Sequence, residues 1–89
     1  TEVDGIFASS DVIAAQVIQV CHQRGIEVGS SVRLVGFDDI QLASMLTPAL
    51  TTIRQPIEEL CKTAVQTLLN PSPPSRTVLP VHLVVRQSS

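Results

Sequence analysis

"VGFDDIQ", residues 35–41, closes an apolar run with two adjacent carboxylates, Asp38 and Asp39. The run itself, residues 32–37, has the β-branched and aromatic content that is typical of a buried strand. Neighbouring anions repel each other, and each loses hydration when it is covered. Two explanations follow. Either the carboxylates order the local backbone, or they bind a ligand that supplies hydrogen-bond donors.

A second strand and a helix precede this stretch. Residues 3–8 (VDGIFA) predict a short strand, and the run Ser9-Ser10-Asp11 after it is typical of a helix N-cap. Residues 11–24 then predict a helix that Gly25 ends. Strand, helix and strand with short links predict a βαβ unit, whose strands are parallel and joined by a right-handed crossover.

The second half of the chain begins with few regular signals over residues 40–49. Residues 50–55 (LTTIRQ) are β-branched and predict an extended segment, and Pro56 suits the first position of a helix over residues 56–70. Residues 71–75 (PSPPS) predict a linker, and residues 78–85 predict a last strand. Pro80 within it favours a sheet edge or a bulge. The predicted fold class is α/β, a parallel sheet flanked by helices.

Composition limits the classes of function. The chain has 89 residues, of which 44% are hydrophobic and 16% charged, enough for one small domain or a piece of one. So apolar a chain either has a large core or buries surface against protein outside this segment, and we favour the second explanation. No apolar run reaches the roughly 18 residues of a membrane span, and no secretory signal pattern is visible. The net charge is −2 with scattered cations, which excludes nucleic-acid binding by this segment alone.

Catalytic and metal-binding patterns are not found in the sequence. Cys21 and Cys61 lie far apart on apolar helix faces, which predicts buried, reduced thiols in a cytosolic protein. His22 and His82 have no partner at ligand spacing and are interpreted as ordinary polar positions. The sequence holds no Gly-rich phosphate loop and no nucleophile elbow. We therefore expect no enzyme activity, no cofactor and no metal.

Polar side chains follow both strands of the predicted βαβ unit. Ser10 and Asp11 come after the first strand, and Asp38 comes after the second. Ligands of open parallel sheets bind beyond the carboxyl ends of the strands, so these groups are expected to converge on one rim. Hydroxyls and carboxylates suit a polyhydroxylated or amine-bearing ligand. Two alternatives stay open: Asp11 as the helix N-cap, and Asp39 as a cap of the following turn.

The first helix is apolar over an arc of roughly 160°, whereas packing on one sheet needs about 100°. This width predicts a second buried contact. The contact is either with a partner subunit or within a groove of the same chain.

Four stretches together resemble the LacI/GalR family of bacterial transcriptional repressors: "DGIFASSDVIAA", "RGIEVGSSVRLVGFDDI", "LTPALTTIRQPIEELCKTAVQTLL" and "LPVHLVVRQSS". Members have a helix-turn-helix head, a hinge helix and a two-subdomain effector core similar to periplasmic sugar-binding proteins. The resemblance covers nearly the whole chain and matches the C-terminal quarter to third of such a protein. It therefore implies a fragment of the two-subdomain fold.

The resemblance also implies roles for individual residues. The family's effector-contacting acid falls on Asp38, and its usual Asn-Asp pair falls on Ser10 and Asp11. Ser10 stands where members of the family have Asn. A serine hydroxyl is shorter than an amide and has one donor, so the resemblance does not by itself imply a direct effector contact at Ser10. The family's dimer-forming surface falls on Val12, Ala14, Ala15, Ile18, Leu42, Met45 and Leu46.

The implied organisation has three parts. Residues 1–50 form the βαβ part of the C-terminal subdomain, residues 51–70 form a crossover strand and a helix of the N-terminal subdomain, and residues 71–89 form a linker and a strand that returns. The implied function is effector sensing and dimerisation in a cytoplasmic homodimeric repressor. The expected effector is a sugar, with a purine or nucleoside as the alternative, and operator DNA is bound only through a head outside these residues. The alternative function is that of a periplasmic sugar-binding transport protein.

Overall fold

The computed structural model describes residues 3–70 and 76–89 and contains one four-stranded sheet. The strand order is β1-β2-β3-β4; the first three strands are parallel, and β4 runs antiparallel at the edge. This confirms the predicted α/β class, and the predicted linker lies outside the described residues. The elements in chain order are β1 (Gly5–Phe7), α1 (Asp11–Gln23), β2 (Arg33–Asp38), α2 (Gln41–Met45), β3 (Thr51–Arg54), α3 (Ile57–Leu69) and β4 (His82–Val84).

Helix α1 is defined by local signals at both ends. The Ser10 side chain accepts a hydrogen bond from the backbone N–H of Ile13 at 3.3 Å, so Ser10 is the N-cap and the assignment of that role to Asp11 is wrong. At the other end Arg24 is the C-cap, and Gly25 follows with φ of 70°. Glycine adopts this left-handed conformation without the penalty that a Cβ imposes, which explains why the helix ends there.

The core lies between the sheet and helices α1 and α2. Leu34 of β2, Ala14 of α1 and Leu50 before β3 are fully buried there. Gly36, in the middle of β2, allows the close approach of α1. A Cβ at this position would collide with the Asp11 carboxylate and lie 2.9 Å from a methyl carbon of Leu50.

The opposite face of the sheet is apolar and is not covered by another element of the described chain. Phe7 and Leu83, near its two edges, are 63% and 61% exposed. Parallel sheets are normally covered on both faces. The further members of this face, in the same register, are Val35, Phe37 and Ile53.

Helix α3 extends away from the sheet and contains no buried residue. Its apolar side chains are exposed, Leu68 by 78%, and Cys61 is exposed as well, so the predicted burial of this thiol is wrong, whereas Cys21 is buried. Pro56 is the N-cap residue and precedes the helix instead of starting it. The whole chain exposes 6558 Å², whereas a compact protein of its mass exposes about 5000 Å². This excess agrees with the prediction of surface that other protein covers.

Three elements of the second half bear on the prediction. Strand β3 lies inside the sheet with Thr51 and Thr52 buried, and the sheet continues to Arg54. Helix α2, of five residues, was not predicted. The last strand is shorter than predicted, but it lies at the sheet edge just after Pro80, as that proline indicated.

The residues after β4 join β2 to β3. Ser88 is fully buried; its hydroxyl donates to the Leu34 carbonyl at 2.6 Å and accepts from the Thr51 N–H at 2.8 Å. The N–H of Arg86 donates to the Thr51 hydroxyl at 2.7 Å. The segment thus supplies hydrogen bonds at the start of β3.

Within residues 3–70 and 76–89, none of the helices has the length and apolar character needed to cross a membrane.

Candidate functional site

The structure brings together the segments that follow β1, β2 and β3. The Asp11 carboxylate accepts from the Ile40 N–H at 2.8 Å, just beyond β2, and from the Thr52 hydroxyl of β3 at 2.5 Å. Asp11 is 1% exposed and Thr52 is fully buried. Both oxygens of Asp11 are therefore bonded by donors of this chain. Asp11 therefore forms what we call the bracket: its two hydrogen bonds join the start of α1 to β3 and to the segment after β2. Ser10 beside it caps α1.

Asp38 ends β2 in an unusual backbone conformation. Its φ is 119° and that of Asp39 is 57°, and residues other than glycine rarely adopt positive φ values. The Asp38 side chain accepts one hydrogen bond, at Oδ1 from the Gln55 amide nitrogen at 2.6 Å. No residue in the described ranges donates to Oδ2. Strained backbone of this kind clusters at ligand-binding positions, because the fold has to hold it in place.

Asp39 is held in a different way. Its Oδ2 accepts from Arg54 Nε at 2.7 Å and its Oδ1 pairs with the Arg86 guanidinium at 2.9 Å, and its side chain is 6% exposed. Burial raises the pKa of Asp39, but the hydrogen bonds and positive charges of Arg86 and Arg54 outweigh it and bring the pKa below its ordinary value. Neither partner is a backbone group of the following turn, so the prediction that Asp39 caps this turn is wrong. Its donors come from β3 and from the segment after β4.

The two adjacent acids of the opening stretch therefore have different chemistry. Asp39 is paired with two guanidinium groups and covered, whereas Asp38 has no cationic partner in the described ranges and has an oxygen to which no described residue donates. A carboxylate of the second kind can accept hydrogen bonds from hydroxyl or amine groups of a ligand.

Sequence reasoning missed the partners of these acids. Gln55 could have been found, since it follows a parallel strand, β3, in the same way as Asp38 follows β2. Arg86 follows an antiparallel strand and carried no such signal. Thr52 lies 41 residues from its partner Asp11 along the chain, and no local pattern connects the two.

The predicted dimer surface is only partly available. Ala14 is fully buried and Ile18 is 7% exposed, and both lie inside the core of this chain, so they are not part of its exposed surface. The wide apolar arc of α1 includes the residues that pack on the chain's own sheet. Val12, Leu42 and Met45 are exposed by 58%, 40% and 69%. Ala15 and Leu46 are half-buried.

Within residues 3–70 and 76–89, no three or more His, Cys, Asp or Glu side chains lie together in a group that could hold a metal ion.

Comparison with known proteins gives consistent matches. A family model described as a periplasmic binding protein-like domain matches residues 2–89. The ribose operon repressor of Halalkalibacterium halodurans is 40% identical over 92 residues, which span 98% of this chain and 28% of that protein. The chain therefore spans less than a third of the length of this relative.

Two solved structures show the same arrangement of elements. The lac repressor dimer bound to operator and an anti-inducer superimposes with a TM-score of 0.89 at 30% identity, over 96% of this chain and 31% of that one. The transcriptional regulator CelR in complex with cellobiose gives a TM-score of 0.84 at 33% identity, over 99% of this chain and 28% of that one. All three relatives are named as repressors or transcriptional regulators and none as an enzyme.

Proposed function

The chain belongs to the family of periplasmic binding protein-like domains, within the LacI/GalR group of transcriptional regulators, and we propose that it is the effector-sensing and dimerising part of a sugar-responsive repressor. The complete protein acts in the cytoplasm, where its operator is. Operator DNA is bound by a head outside these residues, because the segment has a net charge of −2 and no cationic cluster.

The observation that carries the proposal is the state of Asp38. It stands at the carboxyl end of β2, half-buried, and within the described residues its side chain has a single hydrogen-bond partner, the neutral amide of Gln55. The sugar hydroxyls donate to this carboxylate, and the second wall of the site comes from the part of the core outside these residues. Asp11 and Ser10 stabilise the backbone around the site: Asp11 binds Ile40 and Thr52, and Ser10 caps the start of α1.

A pentose is the effector that we propose first, since the relative with 40% identity is named a ribose operon repressor. The cellobiose complex of a second relative supports a sugar as the broader class. Binding between the sheet and the subdomain that contains α3 changes the angle between them. This rotation alters the spacing of the DNA-binding heads in a homodimer, which is a rigid-body switch with reciprocal coupling between effector and operator.

Dimerisation is proposed at the exposed apolar residues of α1 and α2. Val12, Leu42 and Met45 lie on two helices that contact each other. The dimer in the lac repressor structure supports a dimeric state for the complete protein.

Calorimetric titration of the complete protein with D-ribose and the other common aldopentoses and aldohexoses tests the proposal. Asp38→Asn should weaken sugar binding about ten- to a hundredfold, since hydrogen bonds to charged groups contribute about 1.5–3 kcal/mol. Asp4→Asn, at an exposed position before β1, is the matched control and should leave the affinity unchanged. Equal affinities for the wild type and Asp38→Asn would remove Asp38 from the site.

A further inference from the structure

The hydrogen bond between Gln55 and Asp38 connects the end of β2 to the first residue after β3. Gln55 Nε2 donates to Asp38 Oδ1 over 2.6 Å. Gln55 is the single residue between Arg54, the last of β3, and Pro56, the N-cap of α3. The bond therefore ties the end of β2 to the junction from which α3 leaves the sheet.

This bond is more easily exchanged than those of the neighbouring acid. Asp39 is paired at both oxygens with guanidinium groups, and both partners of each pair are charged. Asp38 is paired at one oxygen with a neutral amide, which a ligand hydroxyl can replace without leaving an unpaired cation. Gln55 is half-buried, so water can bond to its released amide.

The junction between the sheet and α3 is short. The sheet ends at Arg54 on this strand, and α3 begins at Ile57. The Gln55 side chain is thus placed to hold the first turn after β3 against the end of β2, next to the strained backbone at Asp38 with its φ of 119°.

We infer that Gln55 is a latch. Its amide is hydrogen-bonded to the Asp38 carboxylate when no effector is bound, and a hydroxyl of the effector replaces the amide as the donor. The inference rests on the proposed function, because it names the internal group with which the sugar competes. Displacement releases the junction between β3 and α3, so binding at Asp38 is coupled to the movement of the subdomain that contains α3. The competition also lowers the affinity for the effector, because part of the protein is in the latched state.

The first test uses the complete protein and Gln55→Met, which keeps the length of the side chain and removes its donors. Calorimetry with D-ribose and the other common aldopentoses and aldohexoses should show binding about three- to tenfold tighter than in the wild type. Gln23→Met, at the exposed last residue of α1, is the control and should bind as the wild type does. In an Asp38→Asn background the effect of Gln55→Met should disappear, since the two side chains act on each other.

The second test needs no ligand. Hydrogen–deuterium exchange of the backbone over residues 55–60 should be faster in Gln55→Met than in the wild type and unchanged in Gln23→Met. Weaker sugar binding by Gln55→Met would overturn the latch and make Gln55 a direct effector contact. Unchanged affinity together with unchanged exchange would also overturn it. If the wild type binds none of the sugars, the proposed function fails, and exchange alone decides: faster exchange supports the restraint and unchanged exchange refutes it.

Discussion

Thr52→Val removes one hydrogen bond from the bracket at Asp11. The substitution replaces the donating hydroxyl with a methyl group of similar volume, so it leaves no cavity, but the methyl group cannot approach the Asp11 carboxylate as closely as the hydroxyl does at 2.5 Å. Thr52 is fully buried and Asp11 is 1% exposed, which means that water cannot take the place of the lost donor. Asp11 keeps the N–H of Ile40, at 2.8 Å, as its other donor.

The magnitude follows from this burial. A hydrogen bond to a charged group contributes about 1.5–3 kcal/mol, and a buried acceptor that loses its donor lies toward the upper end. Urea denaturation of the complete protein, followed by circular dichroism, should show the loss. With a slope of about 2 kcal/mol per molar urea, the midpoint falls by about 1 M.

Thr67→Val is the matched control. The same hydroxyl is removed there, but its bond to the Thr63 carbonyl lies on the exposed surface of α3, and the expected change is below about 0.5 kcal/mol. If Thr52→Val changes the free energy of unfolding no more than this control does, then the bracket at Asp11 does not stabilise the packing of α1 on β3 and on the segment after β2.

Three further perturbations test other parts of the structure. Gly36→Ala should lower the melting temperature, because the added Cβ collides with neighbouring side chains, whereas at Gly5 the nearest atom would lie 3.6 Å away and Gly5→Ala should melt almost as the wild type. Asp39 has a lowered pKa in the folded state, so it stabilises the fold above its unfolded pKa of about 4 and this stability is lost as the pH falls through the folded pKa. Asp39→Asn should therefore reduce the free energy of unfolding at pH 7, with a shallower further loss below pH 4 in urea titrations; a parallel pH profile would argue against the ion pairs. Met45→Glu should give folded monomers by light scattering, whereas Ala14→Glu should fail to fold; a folded Ala14→Glu monomer would contradict the core position of that residue.

The parts of the fold that could be predicted are those with local causes. The end of α1 follows from Gly25, whose positive φ needs no partner, and β2 follows from its own apolar pattern. The parallel pairing of β1 and β2 follows from the helix between them, because a crossover of this length joins parallel strands. Helix α2 has five residues and no side-chain cap, so it carried too few local signals to be found.

The sequence located the two acids at the end of β2 but identified few of their contacts. Both acids were located at the end of β2, but their partners are decided by tertiary contacts: Arg86 reaches Asp39 from the segment after β4, and Thr52 reaches Asp11 across 41 residues of sequence. The apolar arc of α1 shows how much of the helix is buried but does not identify the neighbour. Ala14 consequently belongs to the core of the chain, although the family resemblance assigned it to the partner.

We propose that binding of a sugar at Asp38 releases the operator, and fluorescence anisotropy of a labelled operator duplex measures this release. The complete protein is bound to the duplex and titrated with D-ribose, in parallel with Asp38→Asn and the control Asp4→Asn. We expect the wild type and Asp4→Asn to release the duplex at the same sugar concentration, and Asp38→Asn to bind the duplex as tightly but to need about ten- to a hundredfold more sugar. Release of all three proteins at the same concentration would contradict the assignment of Asp38 as the effector contact.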